Sequence, residues 1–263
     1  MDKKILIVSH SGLFCGAFVR NTIASFEAAL RNGADMIETD VALTADNKLV
    51  LFHEGFEKQL LRTDKRIKEM TYEELKTLPQ WHSHGHETPY CVETLDDLLE
   101  HFKNRCVINL DKTWSKIPQV AEAVRKHNMA EQVIMKSNIK PEFLSQMEAY
   151  APDIPFMALL KSYEQMEMLD QYKLNLQALE VIFPTLEEKS VSPEAIKYFH
   201  DRGLLLWANA IVYDYKIELS GGLTDDISLL KGGEAGWGKL VDMGFDIIQT
   251  DFTAELAQFL KNR

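Results

Sequence analysis

The stretch Met36-Ile37-Glu38-Thr39-Asp40-Val41 carries two carboxylates at alternate positions of what reads as a β-strand. After a short break at Asp46-Asn47 comes Leu49-Val50-Leu51-Phe52-His53. Side chains two apart on a strand share a face, so Glu38 and Asp40 can address one cation. If Asp46-Asn47 is a two-residue hairpin loop, residues whose numbers share one sum pair across it, and Asp40 falls opposite His53. Opposed residues stand about 4.5–5.5 Å apart, so an imidazole would lie beside a dicarboxylate cation site. That is equipment for metal-assisted acid–base chemistry. Taken by itself, the segment would also suit an amphipathic hairpin with its polar side chains in water.

Other strands end in residues of the same kind. Lys4-Ile5-Leu6-Ile7-Val8-Ser9 runs into His10-Ser11-Gly12, and a helix opens near Asn21-Thr22. Cys106-Val107-Ile108-Asn109-Leu110 ends at Asp111, and Phe245-Asp246-Ile247-Ile248-Gln249 ends in Thr250-Asp251. This ordered set resembles the glycerophosphodiester phosphodiesterase family. The hallmarks of that family are a His-Arg-Gly start, a Glu-Asn-Thr helix opening, a Glu-x-Asp strand, a second histidine, a later acidic strand end and a final Thr-Asp step. The resemblance spans most of the chain, from His10 to Asp251.

The resemblance implies a small glycerophosphodiester substrate, cleaved to glycerol 3-phosphate and an alcohol. His10 and His53 would be the catalytic pair, one taking the proton of the substrate hydroxyl beside the diester and the other protonating the departing alcohol. A cyclic phosphate would form and then be opened by water. Glu38, Asp40 and Asp111 supply three carboxylates, a ligand set suited to a hard divalent cation such as Mg²⁺ or Ca²⁺. Zinc would draw more on histidine or cysteine, and no cysteine lies in a suitable pattern. An imidazole titrates near neutrality, so the two histidines serve better as proton carriers than as ligands.

The chain departs from the family pattern at several positions. Ser11 stands where the family has arginine, and Arg20 where it has glutamate before Asn-Thr. Three carboxylates and one divalent cation leave a net negative site, so an anionic substrate needs a further cation. Arg20, at the helix start, is one candidate phosphate contact; a solvated arginine at a helix end is the plain alternative. Thr113 occupies the place of the lysine that usually follows the third-strand acid by two residues, and Lys112 would face away on a regular strand. Lys136, ending the next strand, is therefore a second candidate. Glu54 stands where many relatives have aspartate. Trp207, on a strand resembling the family's tryptophan-bearing seventh strand, is a candidate to pack on substrate, although core filling is the commoner fate of such a residue. A lyase that stops at the cyclic phosphate and a noncatalytic ligand-binding barrel are the competing readings.

The elements that must position these groups alternate strand and helix along one domain, residues 1–263. Glycines at Asn32-Gly33, Arg202-Gly203 and Met243-Gly244 mark three helix-to-strand joints. Eight such units predict a (β/α)8 barrel of the TIM type, with the candidate residues at the strand carboxyl ends where such enzymes keep their sites. Two stretches read as additions: a cap insertion after the second strand region, residues 55–93, and a long loop after strand seven, residues 211–234. Further strands are expected at Val133 to Lys136, Phe156 to Leu160, Val181 to Phe183 and Leu204 to Ala208, with a helix near Tyr163 to Tyr172. His82-Ser83-His84-Gly85-His86 could gather three imidazoles, but a flexible, solvated loop is the expectation.

At 263 residues, 46% hydrophobic and 26% charged, the chain can bury one substantial core. A net charge of −11 argues against nucleic acid or an anionic membrane as the main partner. Three cysteines without a metal or disulfide pattern, a start too short for a signal peptide and no long apolar run predict a cytoplasmic protein without stable membrane insertion. The oligomeric state is left open.

Overall fold

The computed structural model describes residues 5–82, 84–212 and 219–263. Nine strands are present among them: β1 Leu6–His10, β2 Met36–Leu43, β3 Leu49–Leu51, β4 Val107–Asp111, β5 Val133–Asn138, β6 Phe156–Leu160, β7 Leu176–Val181, β8 Leu205–Asn209 and β9 Ile247–Thr250. Eight of them pair in parallel in the order β1-β9-β8-β7-β6-β5-β4-β2, and β2 returns to β1 to close the ring. Helices connect the strands on the outside. This is the expected (β/α)8 barrel, with β3 added as an antiparallel partner of β2. Among the described residues no helix is long and apolar enough to cross a membrane.

Alternation along the strands divides the barrel interior into two halves. Leu6, Val8, Met36, Ile134, Met157, Ala178, Trp207 and Ile247 form an apolar plug. Two residues further along the same strands the inward positions turn polar: His10, Glu38, Lys136, Glu180, Asn209 and Gln249. A period of two puts both sets on one face of each strand, so the sequence builds a dry floor and a polar mouth from the same strands. The opposite faces pack under the helices in the main core around Phe26, Phe102, Phe156, Phe199 and Leu240. Gly33 shows how tight that shell is: at φ 98° it lies so close to Ala257 that an added Cβ would come within 2.7 Å.

The hairpin differs from the expected register by one residue. Val41 pairs with Leu51, Ala42 with Val50 and Leu43 with Leu49. The loop therefore holds three residues, with Asn47 left-handed at φ 62°. Thr44 fixes it: its N–H donates to Lys48 O at 3.0 Å, its Oγ1 accepts from Lys48 N at 2.8 Å, and its hydroxyl donates to Asp46 at 2.6 Å. Asparagine tolerates the left-handed turn that the longer loop needs. As a result Phe52, not His53, faces Asp40, and Phe52 N–H donates to Asp40 O at 3.0 Å.

Two other expectations also shift. The strand expected at Val181 to Phe183 lies earlier, at Leu176–Val181, because Gln177 and Glu180 interrupt its apolar run. The helix expected from Tyr163 to Tyr172 is a 3₁₀ turn, Tyr163–Gln165, followed by one helical turn, Met166–Leu169. The described residues of 55–93 contain three short turns of helix, Glu57–Leu60, Ile67–Glu69 and Tyr72–Leu75. Their apolar residues share a small core with the outer face of the hairpin, including Ala42, Val50 and Phe52. Thr71 and Glu74 form a capping box there. Of the long connection at 211–234, residues 213–218 lie outside the described residues; the rest includes the helix Asp225–Lys231.

Candidate active site

Strand register assembles the acidic cluster. His10 at the end of β1 pairs with Glu38 on β2, and Asp40 pairs with Asp111 at the end of β4. Glu38, Asp40 and Asp111 each offer a carboxylate oxygen, and these atoms lie within 4.8 Å of one another. Glu38 and Asp40 are almost wholly buried. Burial and the charge of Asp40 push the Glu38 carboxyl up to about 8, the response of carboxylates crowded together out of water. An all-oxygen donor set with this much buried negative charge fits a hard divalent cation.

The loop after β1 holds two of these acids by hydrogen bonds. Ser11 and Asn21 both adopt left-handed backbone, φ 54° and 58°, and are joined by a hydrogen bond from Asn21 N to Ser11 O at 2.8 Å. Ser11 N–H donates to Glu38 at 2.9 Å, and Asn21 Nδ2 donates to Asp40 at 3.0 Å. Asn21 Oδ1 in turn accepts from Thr39 Oγ1 at 2.8 Å and Asp40 N at 3.1 Å. Non-glycine residues held at positive φ cost energy, and such strain gathers where a ligand must be positioned.

Lys136 lies in this cluster with little freedom of its own. Its ammonium is buried, 2.8 Å from Asp111 and 2.8 Å from Glu180. Burial disfavours the charge, but Asp111, Glu180 and Glu38 outweigh that and raise its pKa. Asp111 is lowered in turn, since Lys136 and Lys112 overcome the opposing effect of its burial. Glu180 also accepts from Asn209 Nδ2 at 2.8 Å, and Asn209 accepts from Trp207 Nε1 at 3.1 Å. Trp207 is fully buried in the floor of the barrel, so its ring fills core. Thr113, in place of the family lysine, donates its hydroxyl to Lys136 O at 2.7 Å. Lys112 turns aside over Trp114, its ammonium 5.2 Å from the ring centroid.

The two histidines stand differently. His10 Nδ1 lies 2.8 Å from Asp251 Oδ1, which leaves Nε2 for other partners. Burial opposes the imidazolium, but the hydrogen bond and charge of Asp251, aided by Glu38, raise the His10 pKa. Asp251 is seated by Asp225, which accepts from Asp251 N at 3.0 Å, Thr250 Oγ1 at 2.7 Å and Trp237 Nε1 at 2.7 Å. Burial pushes the Asp225 carboxyl up to about 6. His53 follows β3, half-buried, with Nδ1 3.1 Å from Glu54 O and its ring edge-on to Phe56 at 4.8 Å. Lys116 ties its segment to the acids: the buried ammonium donates to Val41 O at 2.8 Å and Lys112 O at 2.9 Å, and lies 3.7 Å from Glu54. The Arg20 guanidinium stacks on Phe14, 4.1 Å from the ring centroid, and its charge acts on His10.

Reading the strand ends therefore missed Glu180, Asp225, Lys116, the hydrogen bonds of Asn21 to the acids and the pairing of Asp251 with His10. Asp251 carried a signal as the acid of the last strand end, and Asn21 as part of the Asn-Thr helix opening, but neither pattern told what it would touch. In the segment 55–93, His82, His84 and His86 draw together, their ring centroids 4.7, 5.2 and 6.4 Å apart. His84 and His86 are exposed, as the solvated loop expected would have them, whereas His82 is buried; Ser83 lies outside the described residues.

Comparison with known proteins agrees with this architecture. The profile of the glycerophosphoryl diester phosphodiesterase family matches residues 10–255. A glycerophosphodiester phosphodiesterase of Bacillus altitudinis is 28% identical over 204 residues, 74% of this chain and 81% of that protein. The crystal structure of a glycerophosphoryl diester phosphodiesterase from Parabacteroides distasonis superposes with a TM-score of 0.80 at 20% identity, covering 100% of this chain and 88% of its own. A phosphodiesterase from Oleispira antarctica, solved with the product sn-glycerol 3-phosphate, gives 0.70 at 19% identity over 98% of this chain and 97% of its own. These two likenesses establish the fold. With a family profile matched along nearly its whole length, from His10 past Asp251, the chain belongs to the glycerophosphoryl diester phosphodiesterase family.

Proposed function

We propose that this protein hydrolyses glycerophosphodiesters to glycerol 3-phosphate and an alcohol, with a divalent cation and with His10 and His53 as the acid–base pair. The observation that carries this reading is the convergence of Glu38, Asp40 and Asp111 next to a histidine whose Nδ1 is held by Asp251. Mg²⁺ or Ca²⁺ held by the three carboxylates would supply positive charge to offset the negative charge developing on the reacting oxygens. One imidazole takes the proton of the substrate hydroxyl adjacent to the diester, that oxygen attacks phosphorus, and the other imidazole protonates the leaving alcohol. Water then opens the cyclic phosphate with the two roles reversed. Asp251 fixes the His10 ring so that Nε2 is the nitrogen exchanging the proton. Lys136 and Arg20 are the cations available to the phosphate, Lys136 through its place beside Asp111 and Arg20 from the loop after β1. Three free cysteines suit a reducing cytoplasm, where we place the reaction.

The test is phosphorus NMR of glycerophosphocholine and glycerophosphoethanolamine incubated with the protein and Mg²⁺, Ca²⁺ or chelator. Release of glycerol 3-phosphate that chelation abolishes supports the reading. A cyclic phosphate that accumulates without opening would make the protein a lyase. No turnover with either cation would refute both.

A further inference from the structure

Both imidazoles are followed, within four residues, by a phenylalanine: His10 by Phe14 and His53 by Phe56. The two rings meet across a cavity of about 160 Å³ that Phe18, Trp81 and Arg20 also line. It lies between the loop after β1 and the cap. Phe56 touches the His53 ring edge-on at 4.8 Å, so the cavity shares a wall with the catalytic mouth. Phe14, Phe18, Phe56 and Trp81 are each only half-buried, although large aromatic side chains gain most from complete removal from water.

The charge around this cavity is one-sided. Among the described residues no carboxylate lines it. The Arg20 guanidinium lies 4.1 Å from the Phe14 ring centroid, and that of Arg62 lies 5.1 Å from the Trp81 ring. Aromatic walls attract a quaternary ammonium through their faces, but here two of the four rings already carry a cation. A choline or ethanolamine group would therefore meet like charge, with no acid among the described lining residues to offset it. An uncharged hydrocarbon body meets no such penalty and covers four exposed ring surfaces. At roughly the 30 Å³ that one water occupies in the liquid, the cavity accommodates about five or six heavy atoms.

We propose that this cavity receives the leaving alcohol of the diester and selects alcohols with an uncharged, apolar body over cationic headgroups. The inference rests on the phosphodiesterase reading and names its substrate class.

The experiment compares kcat/KM for the ethyl, hexyl and choline esters of glycerol 3-phosphate, and titrates the same three esters calorimetrically. The expected result is a rise of about fourfold for each methylene that enters the cavity, at least about tenfold from ethyl to hexyl, with choline below ethyl. Phe18→Ala and Phe56→Ala are expected to bring the hexyl-to-ethyl ratio to within about twofold of unity. Phe18→Asp, on a half-buried loop position where folding is little at risk, is expected to turn the preference towards choline. The ratio cancels any general loss of turnover. A choline ester that wins in the unaltered protein, or a hexyl preference that survives both alanine variants, overturns the proposal while leaving the phosphodiesterase reading intact. If no ester is cleaved, the phosphodiesterase reading fails, and the titrations still decide: hexyl binding more tightly than choline, and weakened by Phe18→Ala, supports the subsite, whereas equal or reversed affinities overturn it.

Discussion

His10 and Asp251 close the barrel chemically as well as topologically, for β1 and β9 are hydrogen-bonded neighbours and the two side chains meet at 2.8 Å above them. A carboxylate on Nδ1 fixes the tautomer and the plane of the ring. Asp251→Asn is expected to lower kcat by about 10²–10⁴, the range for misorienting an acid–base histidine, with little change in melting temperature. Since Asp251 supplies most of the upward shift of the His10 pKa, the same variant should titrate at lower pH, observable in the His10 ring resonances. A variant with full activity and an unmoved titration would remove Asp251 from the mechanism.

Cation binding should depend on pH through Glu38. Burial and Asp40 hold its carboxyl up to about 8, so near neutrality a proton competes with the cation for that ligand. Calorimetric affinity for Mg²⁺ or Ca²⁺ is expected to weaken as pH falls from about 8 to about 6, and Asp111→Asn to weaken it further at every pH. An affinity flat across that range would show that Glu38 is not a ligand.

Lys136 is the buried countercharge of Asp111 and Glu180. Replacing it with methionine leaves two buried acids facing each other. Removing one member of a buried ion network typically costs about 3–5 kcal/mol, so urea unfolding of Lys136→Met should show a loss of that order. Glu180→Gln in the same background removes one stranded charge and should restore part of it. No restoration would mean that Lys136 contributes by packing rather than by charge.

Acid sensitivity should concentrate at Asp96. Partial burial would raise its pKa, but Lys48, His127 and Lys126 together hold it well below the usual range for aspartate. A carboxyl depressed in the folded state adds stability above its unfolded pKa, and that contribution is lost as pH falls through the folded value. Stability measured by urea from about pH 5 down to about pH 2 should therefore decline less steeply in Asp96→Asn than in the unaltered protein. Equal slopes would contradict this account.

The parts of the site that could be read from sequence are those that sit on a strand end. A parallel strand must be an apolar run, and the polar residue that ends it is visible by contrast, as at His10 and Asp111. Glu38 and Asp40 were legible because they lie two apart on one strand. The hairpin register was not, because it turned on whether Asn47 would take a left-handed turn; the extra loop residue moved Phe52 into the place expected of His53. Glu180 lies within β7 rather than beyond it, so it hid the strand instead of marking its end. Asp225 and Lys116 are polar residues buried by distant parts of the chain, and their partners exist only once the barrel has closed; no local pattern announces them. Asn21 was visible as part of the Asn-Thr helix opening, but its bonds to Thr39 and Asp40 were not.

The most direct measurement is glycerol 3-phosphate release by His10→Ala alongside the unaltered protein, with saturating Mg²⁺ and the cation affinity of both measured in parallel. The account predicts that release falls by about 10³ or more while cation affinity and melting temperature stay close to those of the unaltered protein. Release within about twofold of the unaltered rate would contradict it, because the chemistry would then run without the imidazole that Asp251 holds.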